Sequence, residues 1–207
     1  MLIFTDKGAK YQNIVKEGNM SWGLIIFVII IVILVLWLVG MYNGLIGKRN
    51  QVKTAWAQID VQLKRRYDLI PNLVETVKGY AAHERGVFDE VTQARSTAQQ
   101  AASSGPAARA QAEGGLSQAL GRLFAVAEAY PNLKANQNFL ALQEELTTTE
   151  NKISFSRQAY NDTVLSFNNQ VQRLPSAIIA GMTGFKTAEF FEVTAPEEKN
   201  PVKVSFS

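Results

Sequence analysis

Near its N-terminus the chain carries an unbroken apolar run, and beyond this run the apolar positions recur at helical spacing. From Trp22 to Val39 no position holds a charged or amide side chain. A helix of that length rises about 27 Å, close to the ~30 Å hydrocarbon core of a bilayer. A buried core helix is the alternative, but such helices seldom stay apolar on every face. The run therefore predicts a transmembrane helix over residues 22–42.

Aromatic and basic residues mark the ends of the apolar run. Amphipathic rings favour the lipid headgroup layer, and basic side chains beside a span can reach lipid phosphates. We therefore expect five residues at the membrane interface, namely Trp22, Trp37, Tyr42, Lys48 and Arg49. The lipid bilayer is the first partner that the sequence predicts.

The run differs from a cleaved secretory signal. The apolar part of such a signal is about 7–15 residues long and ends at a small-x-small site. This run is longer and exits through Gly40, Met41, Tyr42 and Asn43. The sequence has no cysteine, which excludes lipid attachment at cysteine, disulfides and thiolate metal sites. We expect an uncleaved, single-pass anchor.

Beyond the anchor, apolar residues recur at steps of three and four, as they do on one face of a helix. The first such stripe comprises Val52, Trp56, Ile59, Leu63, Ile70, Val74, Val77, Phe88 and Val91. It predicts helical structure from about Tyr42 to about Ala102, continuing directly from the anchor. Pro71 lacks a backbone donor and crowds the carbonyl of Tyr67, so a kink at Pro71 or a break just before it is expected.

Two further helices follow a clear turn at residues 103–106. The spacing predicts an Ala-rich helix over 107–129. Pro131 disfavours helix at the residue before it, and Asn132 is expected to cap the next helix. A third long helix is predicted over 133–173. Pro175 is expected to stop or break it, with a short turn of helix beyond.

The C-terminal residues change character. β-prone positions such as Phe190, Phe191 and Val204 flank a Pro-Glu-Glu-Lys-Asn-Pro turn, which predicts a small extended pair or an extended wrap over the helices. Long amphipathic helices with short turns bury their stripes in an antiparallel bundle. The predicted fold is all-α, with a transmembrane helix, a bundle of three to four long helices and an extended tail. The segments are an N-terminal tail (1–21), the span (22–42), the bundle (43–182) and the C-terminal tail (183–207).

The residues before the span fit no regular element, and Met20 is an alternative start immediately before it. Lys16-Glu17-Gly18 can be encoded by purine-rich codons that resemble a ribosome-binding sequence, so residues before Met20 could be untranslated. With Met20 as the start, only the α-amino group precedes the span. The positive-inside rule then favours a cytoplasmic bundle.

The charge balance argues against nucleic acid as a partner. The chain holds 21 basic and 18 acidic residues, whereas a nucleic-acid groove needs a one-sided basic surface. The single histidine, His83, cannot form a dyad with Glu84, because adjacent helix residues point about 100° apart. We expect it on a helix surface or at an interface. No recognisable catalytic or cofactor-binding motif is present, so we expect neither a cofactor nor an enzymatic activity.

A basic triplet, Lys64-Arg65-Arg66, lies too far along the helix to reach lipid headgroups. Lys64 is about 33 Å beyond Tyr42 on a straight helix, several Debye lengths of ~8 Å. Asp60 and Lys64 are spaced i,i+4 in the favourable order. The triplet is therefore expected to form ion pairs within the protein.

Two polar stripes suggest a buried network. One lies on the third long helix at steps of seven, four and seven, and the other lies on the first helix. Their proposed members are Asp68, Asn72, Glu150, Arg157, Asn161 and Asn168. The hypothesis is that the stripes meet and fix the register of the bundle, as buried asparagines do in coiled coils. Two solvated faces are the alternative.

The chain resembles the LemA family of bacterial membrane proteins. The residues that carry the resemblance are YNGLIGKRNQVKTAWAQIDVQLKRRYDLIPNLVETVKGYAAHE, YPNLKANQNFLALQEELTTTENKISFSRQAYND and GFKTAEFFEV with PVKVSFS. The resemblance covers nearly everything from the anchor to the C-terminus. It implies an N-terminal anchor in the bacterial plasma (inner) membrane and a helical bundle. It implies no activity, because the family has no established biochemical one.

The sequence favours a non-enzymatic, membrane-anchored scaffold or adaptor. Such a protein would bind a membrane protein partner or form a homo-oligomer, and self-assembly at the membrane is one extension of this interpretation. The alternative is an accessory docking subunit of a membrane protease or phosphatase system. An enzyme in its own right would need a polar pocket between helices, which the sequence does not indicate.

Overall fold

The computed structural model describes the backbone of residues 6–192 and the side chains from Trp22 onward. The helices are α1 (Asp6–Lys78), α2 (Arg85–Gln100), α3 (Pro106–Glu128), α4 (Pro131–Lys134), α5 (Gln137–Gln172) and α6 (Ser176–Thr183). A single 3₁₀ turn, Ala101–Ser103, extends the end of α2. The described part of the chain contains no strand, so the predicted all-α fold is confirmed.

Helix α1 is 73 residues long and joins the apolar run to the bundle without interruption. It begins at Asp6, so the prediction of no regular structure before the span was wrong. Adding residues to an existing helix needs no new nucleation, and the span supplies the nucleus. Because extension needs no new nucleation, the helix also continues directly from the apolar residues into the amphipathic ones.

The expected break at Pro71 is absent, because Pro71 lies inside α1 and the helix ends only at Lys78. Proline at this position removes the donor that would bind the carbonyl of Tyr67. The Arg95 Nε–H of α2 replaces it, donating to that carbonyl at 2.8 Å. The break instead lies at residues 79–84, and the helical structure predicted to about Ala102 is divided there into α1 and α2.

Helices α2 and α3 form an antiparallel hairpin closed by a glycine turn. Gly105 adopts φ +87°, a conformation that L side chains rarely adopt, and Pro106 opens α3 at the position where a missing N–H costs nothing. The bounds of α3 agree within one residue with those predicted from the spacing. The ion pair between Glu90 of α2 and Arg122 of α3 spans the hairpin.

The third predicted helix is divided in two near its start. Pro131 opens the short α4, and the longer α5 is capped by Asn136, whose side chain accepts from the Phe139 N–H at 3.1 Å. Asn132 was therefore the wrong cap. Asn136 stands in the extended backbone conformation that a cap needs, whereas Asn132 lies within α4.

Helix α5 runs antiparallel to α1 and returns the chain to the span. Gln170 packs against Gly44, and Tyr160 packs against Trp56 with ring centroids 5.2 Å apart. Helix α6 follows and is capped by Gly184, which adopts the left-handed conformation typical of the residue after a helix C-terminus. The end of α5 and the whole of α6 therefore lie at the membrane-proximal end of the bundle.

The described part of the C-terminal tail is extended and packs on α5. Asn168 exchanges two hydrogen bonds with the backbone of Ala188, at 2.8 and 2.9 Å. Asn161 does the same with Phe191, at 2.9 and 3.3 Å. These contacts agree with the predicted extended wrap. The expected turn and second extended stretch lie outside the described residues.

Candidate functional site

The first candidate region is the exposed apolar part of α1. Every side chain from Trp22 to Val39 is exposed, and none is covered by the described residues of the bundle. The alternative of a buried core helix is therefore excluded. By length and composition this is the one described helix that could cross a membrane. Trp22 and Trp37, two of the residues expected at the membrane interface, are 66% and 51% exposed.

The remaining interface residues lie where the bundle meets the span. Tyr42 packs edge-to-face against Phe185, with ring centroids 6.0 Å apart. The Arg49 guanidinium lies 5.1 Å from the centroid of the same ring, and Lys48 is half-buried nearby on α1. Phe185, which follows α6, therefore packs against α1 at the end of the span, next to Tyr42.

The second candidate region is an ionic cluster where α1, α3 and α5 meet. Its centre is Arg66, whose side chain is 2% exposed. Arg66 donates to the carboxylate of Glu113, to Ser117 Oγ at 3.0 Å and to Glu150 Oε2 at 2.5 Å. One arginine thereby connects α1 to both α3 and α5. Such a charge is tolerated in the interior only when it is paired in this way.

Tyr67 completes the inner side of this cluster. Its hydroxyl donates to the second carboxylate oxygen of Glu113. Burial, reinforced by this hydrogen bond and by the Glu113 charge, raises the pKa of Tyr67 well above its usual value. Tyr67 therefore acts as a hydrogen-bond donor at neutral pH and is unsuited to be a general base.

A second buried arginine, Arg109 of α3, lies one turn from Glu113. It forms an ion pair with Asp60 of α1 and lies 5.2 Å from the ring centroid of Trp56. The expected pairing of Asp60 with Lys64 was therefore wrong. A guanidinium supplied by α3 is buried against an aromatic ring, whereas an exposed Lys64 would gain only a screened surface contact.

The other two residues of the basic triplet do form the expected internal ion pairs. Arg65 pairs with Glu145 of α5, and both side chains are partly exposed. Arg66 pairs with Glu113 and Glu150. Arg65 thus reaches only α5, whereas Arg66 reaches both α3 and α5, since their side chains point about 100° apart on α1.

The structure places the residues of the proposed polar network in three different surroundings. Glu150 belongs to the Arg66 cluster. Arg157 lies 5.3 Å from the ring centroid of Phe191 and is bound, like Asn161 and Asn168, to the C-terminal segment. Asp68 and Asn72 are exposed on α1. The two stripes are therefore not brought together as one set.

The chemistry available in the Arg66 cluster is limited. A cleft of about 290 Å³ opens beside Arg66 and is lined by Ser117, Phe124, Thr147 and Glu150 among others. The charged groups at its floor are paired with each other. In the described residues no three His, Asp or Glu side chains form a group that could hold a metal ion. His83 lies exposed in the link between α1 and α2.

Sequence reasoning missed Arg109 and Glu113. Both are charged residues in an Ala-rich helix, spaced i,i+4, and they continue the apolar stripe of Leu116, Leu120 and Leu123 at helical steps. A charge in register with an apolar stripe is the signal that could have identified them. It indicates a side chain that is buried and paired.

Comparisons with known proteins agree with this architecture. The family model of the LemA family matches residues 55–206. Magnetosome protein MamQ 1 of Paramagnetospirillum magneticum is 26% identical over 193 residues, covering 82% of this chain and 71% of that protein. Magnetosome protein MamQ of Magnetospirillum gryphiswaldense is 26% identical over 199 residues, covering 84% and 73%. Protein LemA of Metamycoplasma hominis is 23% identical over 174 residues, covering 84% and 79%.

The family match begins at Ala55 of α1 and spans the rest of that helix, the ionic cluster and all later helices. The apolar helix and these relatives together indicate a membrane-associated helical protein. Since the match covers well over half of its residues, the chain belongs to the LemA family.

Proposed function

We propose that the protein is a non-enzymatic scaffold or adaptor, anchored in the membrane by α1 and presenting its bundle to a second copy or to a membrane protein partner. The observation that carries the proposal is the continuity of α1 from the apolar run to Lys78. A continuous helix transmits position and tilt from the anchor to the bundle, whereas a flexible linker would not. The bundle is therefore held at a defined distance from the lipid.

The ionic cluster supports the same proposal. Arg66, Arg109 and their carboxylate partners bridge helices, which is a structural role for buried charges. Tyr67 is held as a neutral donor, as its raised pKa indicates. A general base or nucleophile would instead need a pKa near neutrality and an open position for substrate.

The test is extraction of the full-length protein from its membrane in a mild detergent, followed by native mass spectrometry. A particle that contains several copies of this chain, or this chain with a non-enzymatic membrane protein, supports the scaffold. A stoichiometric protease or phosphatase would support the alternative of an accessory docking subunit. A lone monomer without any bound protein would contradict both.

A further inference from the structure

Helix α6 has an apolar outer surface that the bundle does not cover. Ile178 and Met182, one turn apart, are 59% and 83% exposed, and Leu174 just before the helix is 77% exposed. The residues of α6 include no charged side chain. On the inner side, Ile179 and Ala180 are buried against Leu45 of α1. The helix thus has apolar residues on both sides, although within residues 22–192 only one side meets protein.

The register of α1 and α5 places this surface at the level of the lipid headgroups. Gln170 lies beside Gly44, and α5 runs towards the span. Leu174, four residues later, therefore comes level with about Met41, at the end of the apolar run. Met41 itself packs against the cluster that Leu45 forms with α6. A rise of 1.5 Å per residue puts Leu45 only about 5 Å beyond Tyr42.

The charges around α6 suit a negatively charged lipid surface. The sequence has no Asp or Glu between Tyr42 and Ile59, nor between Thr163 and Ala188. The basic residues in these two stretches are Lys48, Arg49, Lys53, Arg173 and Lys186. Basic side chains beside exposed apolar ones are the pattern by which amphipathic helices bind the interface of anionic membranes.

A second copy of the chain fits this surface less well. A symmetric contact through α6 would bring the basic residues of two copies together, and like charges in an interface are unfavourable. Lipid phosphates neutralise the same charges, and the acyl region accepts the apolar side chains. Continuity with the span also makes the bilayer the surface that is already present.

We propose that α6 lies in the headgroup layer of an anionic phospholipid membrane, with Leu174, Ile178 and Met182 inserted among the upper acyl chains. Arg173 and Lys186 contact lipid phosphates on either side. This second attachment, beside the transmembrane part of α1, fixes the tilt and rotation of the bundle about its anchor. This attachment of α6 requires the transmembrane anchor, but it does not require any particular protein partner of the bundle.

The absence of cysteine from the sequence permits a direct test with single-cysteine variants of the full-length protein. Met182→Cys carries an environment-sensitive NBD dye, and the protein is reconstituted into vesicles of phosphatidylcholine and phosphatidylglycerol. A second vesicle set contains lipids with a nitroxide high on the acyl chain. Leu36→Cys serves as the inserted reference. Phe155→Cys, 73% exposed on α5 and farther from the span, is the matched aqueous control.

The expected result is blue-shifted emission at Met182 and nitroxide quenching well above that at Phe155. Blue-shifted emission without quenching would show that protein covers α6 and would overturn the proposal. Emission and quenching equal to those at Phe155 would overturn it as well. Quenching of the dye at Leu36 in the same vesicles shows that the anchor has inserted. The lack of quenching at Met182 then cannot be due to failed insertion.

The charge contribution has its own comparison. In the Met182→Cys background, Arg173→Gln with Lys186→Gln should reduce the quenching in anionic vesicles and leave it unchanged in vesicles of phosphatidylcholine alone. If quenching in anionic vesicles is the same with and without the two glutamine substitutions, the role assigned to Arg173 and Lys186 is overturned.

Discussion

Arg66 is the residue on which the contacts between α1, α3 and α5 converge. Its guanidinium binds carboxylates from both partner helices and is almost completely buried. Burying an ion pair often adds little net stability, because desolvation offsets the attraction. Removing one member is different, since it leaves a buried charge without its partner. The main effect of the cluster is therefore to specify which helix faces meet. Its net contribution to the free energy of unfolding is the smaller effect.

Replacing Arg66 with Met should lower the free energy of unfolding by about 3–5 kcal/mol, because Glu113 is left buried and uncompensated. Arg65→Met is the matched control. Arg65 is half-exposed and pairs with a partly exposed Glu145, so its loss should cost less than ~1 kcal/mol. Thermal unfolding of the full-length variants in detergent, followed by circular dichroism, measures the difference.

A double variant makes the test specific for the ion pair. Glu113→Gln removes the charge that Arg66→Met leaves unpaired, so the two changes together should cost less than their sum. Strict additivity would show that the two side chains do not act as a pair.

Tyr160 gives the structure a pH dependence on the alkaline side. Burial, with a smaller contribution from Glu189, raises the pKa of Tyr160 to about 12, and its hydroxyl donates to the Glu189 carbonyl at 2.8 Å. In the unfolded chain a tyrosine ionises at about pH 10. Between these values the unfolded state binds fewer protons, so stability falls as pH rises. The contribution is fully present below pH 10 and is lost as pH passes about 12.

Unfolding midpoints measured from pH 9 to 12 should therefore decline more steeply for the natural protein than for Tyr160→Phe. An absorbance titration at the phenolate band should show one fewer late-ionising tyrosine in the variant. Parallel pH profiles would contradict the assignment.

Adjacent residues show why sequence could not identify the cluster. Arg65 and Arg66 have the same side chain, yet one is 50% and the other 2% exposed. The difference depends on which faces of α1 meet α3 and α5, and α3 begins some forty residues later. The expectation of internal ion pairs followed from distance to the membrane, but the partners required the three-dimensional arrangement.

At the scale of the elements, Pro71 shows how one helix relies on another. Its missing donor leaves the carbonyl of Tyr67 free, and Arg95 of α2 binds that carbonyl. Local sequence rules predicted a kink at Pro71 or a break just before it, and the break is absent. Those rules contain no information about α2. The same rules predicted α3 closely, since a glycine turn and a proline delimit that helix locally.

A double-mutant cycle tests this dependence. In the natural protein, Arg95→Met should cost about 1–3 kcal/mol, because it leaves a partly buried carbonyl without a partner. In the Pro71→Ala background the restored N–H can bind the Tyr67 carbonyl, so the same change should cost much less. Chemical denaturation of the four proteins gives the coupling energy. Equal costs in both backgrounds would contradict the role of Arg95.

At the scale of the molecule, the antiparallel pairing of α1 with α5 positions both ends of the bundle. It returns the chain to the membrane and places α6 beside the span, while the extended segment at residues 185–192 lies along α5. The all-α class and the anchor could be predicted from apolar patterning. The pairing could not, because several long amphipathic helices offer stripes of similar width.

One continuous helix joins the membrane anchor to the bundle. Spin labels at Leu38→Cys in the apolar run and Gln58→Cys in the bundle are twenty residues apart, which corresponds to about 30 Å on a straight helix. Pulsed electron paramagnetic resonance on the reconstituted protein measures this distance. A second pair of labels within the bundle, Lys53→Cys with Asp68→Cys, gives the width of the distance distribution that is expected for a rigid helix. We predict a narrow distribution centred near 30 Å, as sharp as that of the bundle pair. A distribution spread over tens of ångströms, or centred far from this value, would contradict the claim.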